Sequence, residues 1–505
     1  MFKKCRRVIS IILMMMLISS LAACKGDNKE ESPTTNTNET PDDSTEATKA
    51  PEAPSELEHV TLSIYFPGGA SGQVDETKVE EKINEYLADK INASVDLVQL
   101  DWATWDQKPN LMISSGEEFD IIFTASWGGT VYGSNVARGA FLELDDLIDQ
   151  YGQDLKNALP AEVLDSARVD GRIYAIPTYK EMASNFGLLF DKALLDKYNF
   201  DLSTIKKVDD IEPWLKTIKE NEPDIIPFFS DGTRSPFSAT YDYEAVGDGV
   251  IPGAYVDGKV VNQYLLPESI AMFDLANKWM DLGYINKDAM QAPQYDNYFC
   301  TSEQLKPGKD AEVSVGLNKE MKQLDLTQPQ IRGGNLQGSM LAISRTTKNP
   351  ERSMMLLNLM NTDQYLNNLM NYGIEGVHYT KSSDNIITKT DNTDNYSLGA
   401  NWMFQNQFLN YLWDNEDPQK WEKFKQYNEE AEPSELLGFV FDPTPVADEI
   451  ASVKNTWEQY KRAFNTGSLK FADYKDDFVK AMDESGLNIV LEEKQNQVDE
   501  FLANK

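Results

Sequence analysis

The chain is poor in the two side chains that metal sites and covalent catalysis use most. Its 505 residues include three cysteines and only two histidines, His59 and His378, which stand far apart in sequence. This scarcity argues against a histidine-based zinc site and against a conventional serine-histidine-aspartate triad. Cys5 and Cys24 lie in the N-terminal segment and Cys300 stands alone, so we expect no disulfide within the fold. We also expect no cofactor and no bound metal.

Positive charge is scarce as well. The chain has 47 Lys and Arg against 82 Asp and Glu, which gives a net charge of -35. A surface with this excess of acid repels phosphate groups and anionic lipid headgroups. We therefore expect no nucleic-acid partner, and a membrane attachment would have to come from something other than a basic surface.

Common catalytic motifs are absent too. The sequence has no Gly-x-Ser-x-Gly elbow, no Walker-type phosphate loop and no His-Glu-x-x-His zinc motif. The segment 391–395 begins like a calcium loop, but its sixth position is Tyr396 instead of Gly and its twelfth is Trp402 instead of Glu. This segment is better interpreted as a solvated turn.

The apolar run near the N-terminus is too short for a membrane span. It extends from Val8 to Leu21 behind four basic residues, whereas a spanning helix needs about 20 apolar residues. The segment therefore predicts an export signal over residues 1–23. It closes on Leu21-Ala22-Ala23-Cys24, which resembles the lipobox of bacterial lipoproteins and implies a mature protein that begins with a lipid-bearing, for example palmitoylated, Cys24. An ordinary secretory signal with a chance cysteine is the alternative.

The next segment cannot build a core. Residues 25–56 contain no aromatic and no large aliphatic side chain, and they are rich in acid, Thr, Asn and Pro. This composition is typical of disorder, so we predict a disordered acidic linker over 24–56. The remaining body, 57–505, is too long for one typical core and should divide into two lobes.

Strand and helix patterns alternate along the body. Apolar residues alternate through 60–66, recur every fourth residue through 78–89, and return in strand-like runs at 95–100 and 119–124. This order predicts an α/β fold with mainly parallel sheets, whose ligands gather at the carboxyl ends of strands. Two further strands are predicted at 311–317 and 339–344. A stripe with steps of three and four from Val446 to Phe464 predicts a helix that ends at Gly467.

The order of these parts resembles a known family. Asp120-Ile121-Ile122-Phe123, then 171–177, then a helix from about Leu188 follow the lipobox and linker. This arrangement is similar to the family 1 extracellular solute-binding proteins of ABC importers, in the superfamily of maltose-binding protein. The segment 438–446 resembles the C-terminal DUF3502 region of a Gram-positive lipoprotein subgroup, and 372–379 and 397–402 are also typical of that subgroup.

This resemblance implies a fold and a function. The fold is a two-lobed, periplasmic-binding-protein-like α/β fold of type II, with lobe 1 over 57–176 plus about 341–373, lobe 2 over 177–340, and a mostly helical C-terminal region over 374–505 that packs on the lobes. The function is capture of a sugar or oligosaccharide in the interlobe cleft and delivery to ABC permease subunits. The protein would be a monomer, anchored through lipid on Cys24 at the outer face of the cytoplasmic membrane of a Gram-positive cell.

Sugar sites need flat aromatic rings for the C–H faces and charged or amide groups for the hydroxyl edges. Trp127 follows the Asp120 strand at its carboxyl end and is the first candidate for stacking, with packing in its own lobe as the alternative. Tyr179 and Glu181 come just after the strand that crosses to lobe 2. Glu181 matches an acidic sugar-binding position of the family, and an exposed hinge carboxylate is the alternative.

Five further candidates each have an ordinary structural alternative. Asp231 lies in a predicted turn and could only shape that turn, while Glu375 stands between glycines that also suit a tight turn. Trp402 precedes an amphipathic segment and could be core. Phe439 and Asp442 precede a predicted helix start, where Asp442 could serve as a helix cap.

Two other functional classes compete with a binding protein. A surface-tethered polysaccharide-degrading enzyme would also combine aromatic residues with paired carboxylates. With 82 acidic residues such pairs occur by chance, so the sequence favours a protein that is not an enzyme. An adhesion or scaffolding lipoprotein is the third class, and it would be expected to show internal repeats, which the sequence does not.

Overall fold

The computed structural model describes residues 57–69, 72–247, 249, 251–291 and 293–505. The predicted signal over 1–23, the lipidation candidate Cys24 and the predicted linker up to residue 56 lie outside these residues. Within the described part of the chain, every helix is too short or too polar to span a bilayer.

The strands and helices of the first part of the body alternate, as the sequence pattern predicts. The strands are β1 (Val60–Pro67), β2 (Ala93–Leu100), β3 (Ile121–Thr124), β4 (Arg168–Val169), β5 (Arg172–Ile173) and β6 (Ala175–Pro177). The helices are α1 (Glu76–Ile91), α2 (Trp102–Trp105), α3 (Lys108–Ser115), α4 (Tyr132–Ala137), α5 (Asp145–Tyr151), α6 (Gln153–Ala158) and α7 (Ala161–Asp165).

The middle of the body contains the second set of elements. Its strands are β7 (Asn185–Asp191), β8 (Ile226–Phe228), β9 (Glu244–Ala245), β10 (Ala254–Val256), β11 (Lys259–Val261), β12 (Tyr298–Leu305), β13 (Met321–Asp325) and β14 (Gln330–Ile331). Its helices are α8 (Lys192–Tyr198), α9 (Glu212–Asn221), α10 (Pro267–Asp281), α11 (Lys309–Leu317) and α12 (Gly333–Leu336).

The last part of the chain is mainly helical. Its strands are β15 (Met340–Ile343), β16 (Tyr379–Lys381), β17 (Ile386–Lys389), β18 (Leu412–Trp413) and β19 (Glu432–Pro433). Its helices are α13 (Pro350–Thr362), α14 (Gln364–Tyr372), α15 (Lys420–Glu430), α16 (Ala447–Thr466), α17 (Phe471–Glu484) and α18 (Leu487–Asn504).

The first sheet has the strand order β2-β1-β3-β15-β6. β1 pairs in parallel with β2 and β3, and β15 pairs antiparallel with both β3 and β6. All four residues of β3 are buried, as expected for a central strand covered on both faces. The apolar stripe of α1 (Val79, Ile83, Leu87) is also fully buried and belongs to the same cluster of apolar residues, here called the first core.

The second sheet has the order β13-β7-β12-β8, and its core includes Phe190, Phe228 and Trp279. Only β12 and β8 pair in parallel, while β7 pairs antiparallel with both β12 and β13. The expectation of mainly parallel sheets therefore needs correction in this detail, because β7 runs against both of its neighbours.

The chain passes between the two sheets at adjacent places. It leaves the first sheet after β6, which ends at Pro177, and it returns at β15, which begins at Met340. These two strands are hydrogen-bonded neighbours, with Ile176 opposite Leu341. The predicted boundary at 373/374 does not coincide with a change of core, because Leu398 and Phe404 still pack in the first core. The predicted lobe limits otherwise stay predictions.

The segment 311–317 is a helix and the prediction of a strand there is wrong. Its alternating apolar residues imitate a strand, but α11 begins at Lys309 with Asp310 and Glu312 in its first turn, where acids favour a helix. The Ser314 Oγ donates to the carbonyl oxygen of Asp310, four residues earlier, at 2.6 Å, a contact that fits the helical spacing. The strand predicted at 339–344 is present as β15, and the predicted helix does end at Gly467.

The last three helices form a C-terminal core with α10. Trp457, Phe464 and Phe471 are fully buried there against Phe273 of α10 and its neighbours. Gly467 has a φ of +72°, and a Cβ at this position would lie 2.3 Å from backbone atoms of Ala276. Only glycine permits this close approach between the turn after α16 and the backbone of α10.

We expect Phe471→Ala to lower the free energy of unfolding by about 3–5 kcal/mol, because the substitution leaves a cavity among buried rings. Phe471 contacts Phe273 and Phe464 at centroid distances of 5.2 and 4.9 Å. Tyr474→Ala on the same helix is the matched control, since Tyr474 is 40% exposed and its loss should cost about 0.5 kcal/mol or less. Urea denaturation measures both, and equal losses would contradict the packing of α17 on α10.

Candidate functional site

A cleft of about 700 Å³ lies beside the two connections between the sheets. Ser126 and Trp127 border it from the end of β3, Lys180 and Glu181 from the connection after β6, and 303–306 from the end of β12. The cleft-lining residues with ionisable side chains are, in chain order, Lys180, Glu181, Tyr241, Tyr243, Glu244, Glu303, Lys306, Lys309, Glu312, Arg332, Tyr372, Glu416 and Lys420. Five of these are basic and five are acidic, so the cleft is electrically balanced in a chain of net charge -35.

Trp127 is held in place just beyond the carboxyl end of β3, a central strand of the first sheet. It follows β3, and its indole Nε1 donates a hydrogen bond of 2.9 Å to the carbonyl oxygen of Gly338. The backbone N–H of the preceding Ser126 donates to the carbonyl oxygen of Gln337 at 2.8 Å. The Phe123 ring meets the indole edge to face at 6.1 Å. The half-buried indole is thus fixed by the returning chain while it borders the cleft.

Trp402 lies next to Trp127 although 275 positions separate them in sequence. The ring centroids are 6.0 Å apart and the ring planes differ by 24°. The carbonyl oxygen of Trp402 accepts a hydrogen bond of 3.2 Å from the hydroxyl of Ser339. Trp102, on α2, lies against both, at 6.1 Å from Trp127 and 6.5 Å from Trp402. These three residues are called the tryptophan cluster below.

Six charged residues that line the cleft form an ionic cluster: Lys180, Glu181, Lys306, Glu312, Glu416 and Lys420. Lys306 Nζ lies 3.3 Å from both Glu181 Oε1 and Glu312 Oε1. Lys420 Nζ lies 3.1 Å from Glu312 Oε1 and 2.6 Å from Glu416 Oε1. The cluster joins the connection after β6, the second sheet and α15, and these charges compensate one another at short range.

Burial and neighbouring charges shift the pKa values of two members of this ionic cluster, Glu312 and Lys180. Burial opposes the charged form of Glu312, but Lys306 and Lys420 outweigh it and lower the pKa of Glu312 to about 2. Burial lowers the pKa of Lys180, whose Nζ lies 3.8 Å from Glu181 Oε1 and 5.7 Å from the centre of the Trp402 ring. Because of its distance to the Trp402 ring, Lys180 is the member of the ionic cluster that lies beside the tryptophan cluster.

One of the two carboxylate oxygens of Glu181 has no hydrogen-bond donor among the described residues. Its Oε1 contacts Lys306, whereas its Oε2 is buried and accepts no hydrogen bond from any described residue. A buried carboxylate oxygen without a donor is costly. The side chain of Glu181 as a whole is 11% exposed and lines the cleft.

Three of the predicted site residues, Trp127, Glu181 and Trp402, line the cleft together. Tyr179 does not line it and packs against Phe408 at a centroid distance of 4.5 Å. Asp231 is also outside the cleft lining. Its Oδ1 accepts from the backbone N–H groups of Thr233 and Arg234, which is the turn-shaping role considered as its alternative.

The remaining three predicted residues lie elsewhere. Glu375 is exposed and pairs with Lys381 at 3.4 Å. Phe439 borders a smaller hollow of about 80 Å³ and packs on Phe501 at 5.5 Å. Asp442 is exposed, and its Oδ1 accepts from the backbone N–H of Thr444 at 2.9 Å, close to its alternative role at a helix start.

Several cleft residues have no counterpart among the predicted candidates. Lys180, Lys306 and Lys420 come together only through tertiary folding, and no local pattern marks them. Trp102, which contacts two cleft-lining residues without lining the cleft itself, had a local signal, because it follows the carboxyl end of β2 as Trp127 follows that of β3. Parallel pairing places these strand ends at the same edge of the sheet.

Comparison with known proteins identifies the family. Residues 70–366 match the family described as bacterial extracellular solute-binding protein. The chain belongs to this family. Residues 435–503 match the domain of unknown function DUF3502, which lies inside the predicted C-terminal region and covers the last three helices.

The solute-binding protein has relatives in Streptococcus pneumoniae. It is 31% identical over 457 residues to a carbohydrate ABC transporter substrate-binding protein of strain TIGR4, covering 88% of this chain and 91% of the relative. The crystal structure of the N-glycan transport solute binding protein NgtS from the same species superposes with a TM-score of 0.79 and 29% identity, over 88% of this chain and 99% of NgtS. NgtS in complex with Man5GlcNAc gives a TM-score of 0.76, again with 29% identity and over 88% and 99% of the two chains.

These matches confirm the predicted family and the predicted fold class, a two-lobed α/β solute-binding fold of type II with a helical C-terminal region. The two sheets described above are the centres of the two lobes. The cleft that holds the tryptophan and ionic clusters lies at the connections between them.

We expect Glu312→Gln to lower the free energy of unfolding at pH 7 by about 2 kcal/mol. A pKa lowered from 4.5 to about 2 corresponds to about 3 kcal/mol, and the 29% exposure of the side chain reduces this through screening. Since folding lowers this pKa, the stabilisation is complete above pH 4.5, the unfolded value, and is lost as pH falls towards 2. The difference between wild type and variant should therefore shrink from about pH 5 to pH 3 in urea titrations.

Glu422→Gln is the matched control for this prediction. Glu422 pairs with Lys425 at 3.1 Å, but its side chain is 76% exposed, so its loss should cost about 0.5 kcal/mol or less at any pH. A Glu312→Gln protein as stable as this control would contradict the ionic cluster as described.

Proposed function

We propose that the protein binds a neutral oligosaccharide in its interlobe cleft and delivers it to the permease of an ABC importer. The observation that carries this proposal is the pair of nearly parallel indoles, Trp127 and Trp402, in a cleft that the charged side chain of Glu181 also lines. These groups match the two kinds of surface that a sugar presents.

The chemistry of a pyranose fits this arrangement. Its C–H face packs on an aromatic ring, and its hydroxyl edge donates to and accepts from charged groups, which form the stronger hydrogen bonds. Trp127 and Trp402 supply the apolar surface, Glu181 supplies an acceptor, and Lys180 supplies a donor next to the Trp402 ring. The remaining predicted contacts, Tyr179, Asp231, Glu375, Phe439 and Asp442, stay predictions.

The electrical balance of the cleft supports a neutral ligand. Five basic and five acidic side chains line it, and the ionic cluster is compensated internally. A charged ligand would lose its hydration on entering the cleft, and the cleft has no excess of opposite charge that would compensate this loss. A neutral sugar meets no such penalty.

The relatives support the class of ligand and the transporter. One is named as a carbohydrate ABC transporter substrate-binding protein, and NgtS is named for N-glycan transport and was solved with Man5GlcNAc. We propose the same class of role here, for a monomeric protein without catalytic activity. Release of product from labelled oligosaccharides would contradict this proposal and favour the polysaccharide-degrading enzyme.

The location belongs to the same proposal. We propose that the mature protein begins at Cys24, carries lipid there and stands on the linker over 24–56 at the outer face of the cytoplasmic membrane of a Gram-positive cell. Two or more acyl chains hold a protein stably on a bilayer where one does not. The anchor would keep the binder near its permease.

A thermal-shift screen tests the ligand class. The panel contains Man1GlcNAc, Man5GlcNAc, and the di- and hexasaccharides of glucose and of mannose. A ligand that binds only the folded state raises the melting temperature in a saturable way. We expect at least one oligosaccharide to do so, and no shift with any member of the panel would contradict an oligosaccharide binder.

With the sugar from that screen, we expect Trp127→Ala and Trp402→Ala each to weaken binding about tenfold or more, because each removes a stacking surface. Glu181→Gln should weaken binding as well, through loss of the charged acceptor. Isothermal titration calorimetry measures the affinities. Tyr365→Ala is the control, since this tyrosine is 44% exposed on α14 and is not among the cleft-lining residues.

Unchanged affinity in all three cleft variants, with each variant folded by circular dichroism, would remove these residues from the site. A similar loss in Tyr365→Ala would show that the effect is general and not local to the cleft.

We expect Cys24→Ala protein to leave the membrane fraction and enter the medium while it binds the same sugar with unchanged affinity. The reason is that the substitution removes the acylated side chain and leaves the folded body intact. Fractionation of cells followed by immunoblotting measures the distribution. Protein that stays with the membrane would contradict the lipobox interpretation.

A further inference from the structure

Trp102 is the exposed member of the tryptophan cluster. Its side chain is 43% exposed, whereas Trp127 and Trp402 are half-buried. It is not among the residues that line the cleft, yet it contacts two that do. The aromatic surface of the cleft therefore continues past its rim as far as Trp102.

The short helix that carries Trp102 is fixed by a cap and by packing. The Asp101 carboxylate caps α2 by accepting hydrogen bonds of 3.0 and 2.6 Å from the backbone N–H and the hydroxyl of Thr104. Trp105, three residues after Trp102, is buried and meets Phe123 edge to face at 6.0 Å. A Cβ on Gly129 would lie 2.4 Å from the carbonyl oxygen of Trp105, so the loop after Trp127 fits closely against α2. A short helix anchored in this way holds its exposed indole in place.

The orientation of the rings suits a ligand that passes from one to the next. The Trp102 and Trp402 planes differ by 9° and the Trp102 and Trp127 planes by 29°. With centroids 6.1 to 6.5 Å apart, such nearly parallel rings are offset rather than stacked face to face. The offset leaves part of the Trp102 indole uncovered, in agreement with its exposure.

The exposed indole of Trp102 differs from other exposed apolar side chains of this protein, such as Leu111, in its contact with cleft-lining aromatic residues. Apolar surface in water is unfavourable, and a patch continuous with a binding cleft is typical of a site that is covered when ligand binds. The continuity with Trp127 and Trp402 indicates which ligand covers it.

We propose that Trp102 forms an outer sugar subsite, so that the protein takes an oligosaccharide long enough to extend from the cleft over the rim. This inference rests on the proposed function, because it assumes that sugar rings stack on Trp127 and Trp402. It adds a chain-length requirement: the inner rings bind in the cleft, and a further ring packs its C–H face on Trp102.

The test compares a short and a long sugar of the same series on wild type, Trp102→Ala and Trp102→Phe. The probes are Man1GlcNAc and Man5GlcNAc, or the di- and hexasaccharide of whichever series of the panel binds. We expect Trp102→Ala to weaken the long sugar about tenfold and to leave the short sugar unchanged within about twofold, as loss of one stacked ring predicts. Trp102→Phe, which keeps an aromatic face, should recover most of the affinity.

Three results would overturn the subsite. Equal weakening of the short and the long sugar would show that Trp102 only supports Trp127 and Trp402. Unchanged affinity for both sugars would show that the exposed indole has no part in binding. Wild type that binds no sugar of the panel would overturn the proposed function and this inference with it, whereas the first two results leave the proposed function intact.

Tyr474→Ala again serves as the matched control. It removes an aromatic ring of similar exposure, 40%, from a helix outside the cleft. It should change the affinity for neither sugar.

Discussion

The pairing of β6 with β15 is the constraint on which the site depends. One strand carries the chain out of the first sheet and the other brings it back, and they lie side by side with Ile176 opposite Leu341. The contact continues past the strand ends, where the Thr178 backbone N–H donates to the Ser339 carbonyl oxygen at 2.9 Å. These two connections between the sheets therefore form one narrow ribbon, and the chain passes between the lobes once more after Phe404, on its way from the first core to the helices that pack on α10.

The groups of the candidate site are attached to this ribbon. The indole of Trp127 bonds to the Gly338 carbonyl, and the carbonyl of Trp402 accepts from the Ser339 hydroxyl. Lys180 and Glu181 follow directly after β6. The tryptophan cluster and the ionic cluster come from segments far apart in sequence. Both contact the ribbon formed by the same pair of strands, and this ribbon therefore sets the distance between the two clusters.

Sequence patterns predicted this site in part, and the reason is physical. The position of Trp127 at the cleft could be predicted because ligands of parallel sheets gather at the carboxyl ends of the strands. The same rule applied to β2 would have pointed to Trp102. The helix α11 was mistaken for a strand because a short alternating run fits either element. Asp231 and Asp442 are carboxylates engaged by nearby backbone N–H groups, and sequence alone does not separate such turns from ligand contacts. Lys306 and Lys420 meet Glu312 only in three dimensions.

The balanced charge of the cleft has a consequence for the environment in which the protein works. The five basic and five acidic lining residues carry no net charge together, although the chain as a whole has a net charge of -35, so they add no net field of their own at the cleft. Salt screens long-range fields and hardly affects short, compensated contacts. Capture of a neutral ligand should therefore proceed at nearly the same affinity in dilute and in salty surroundings, and the acidic exterior can vary without changing what the cleft retains.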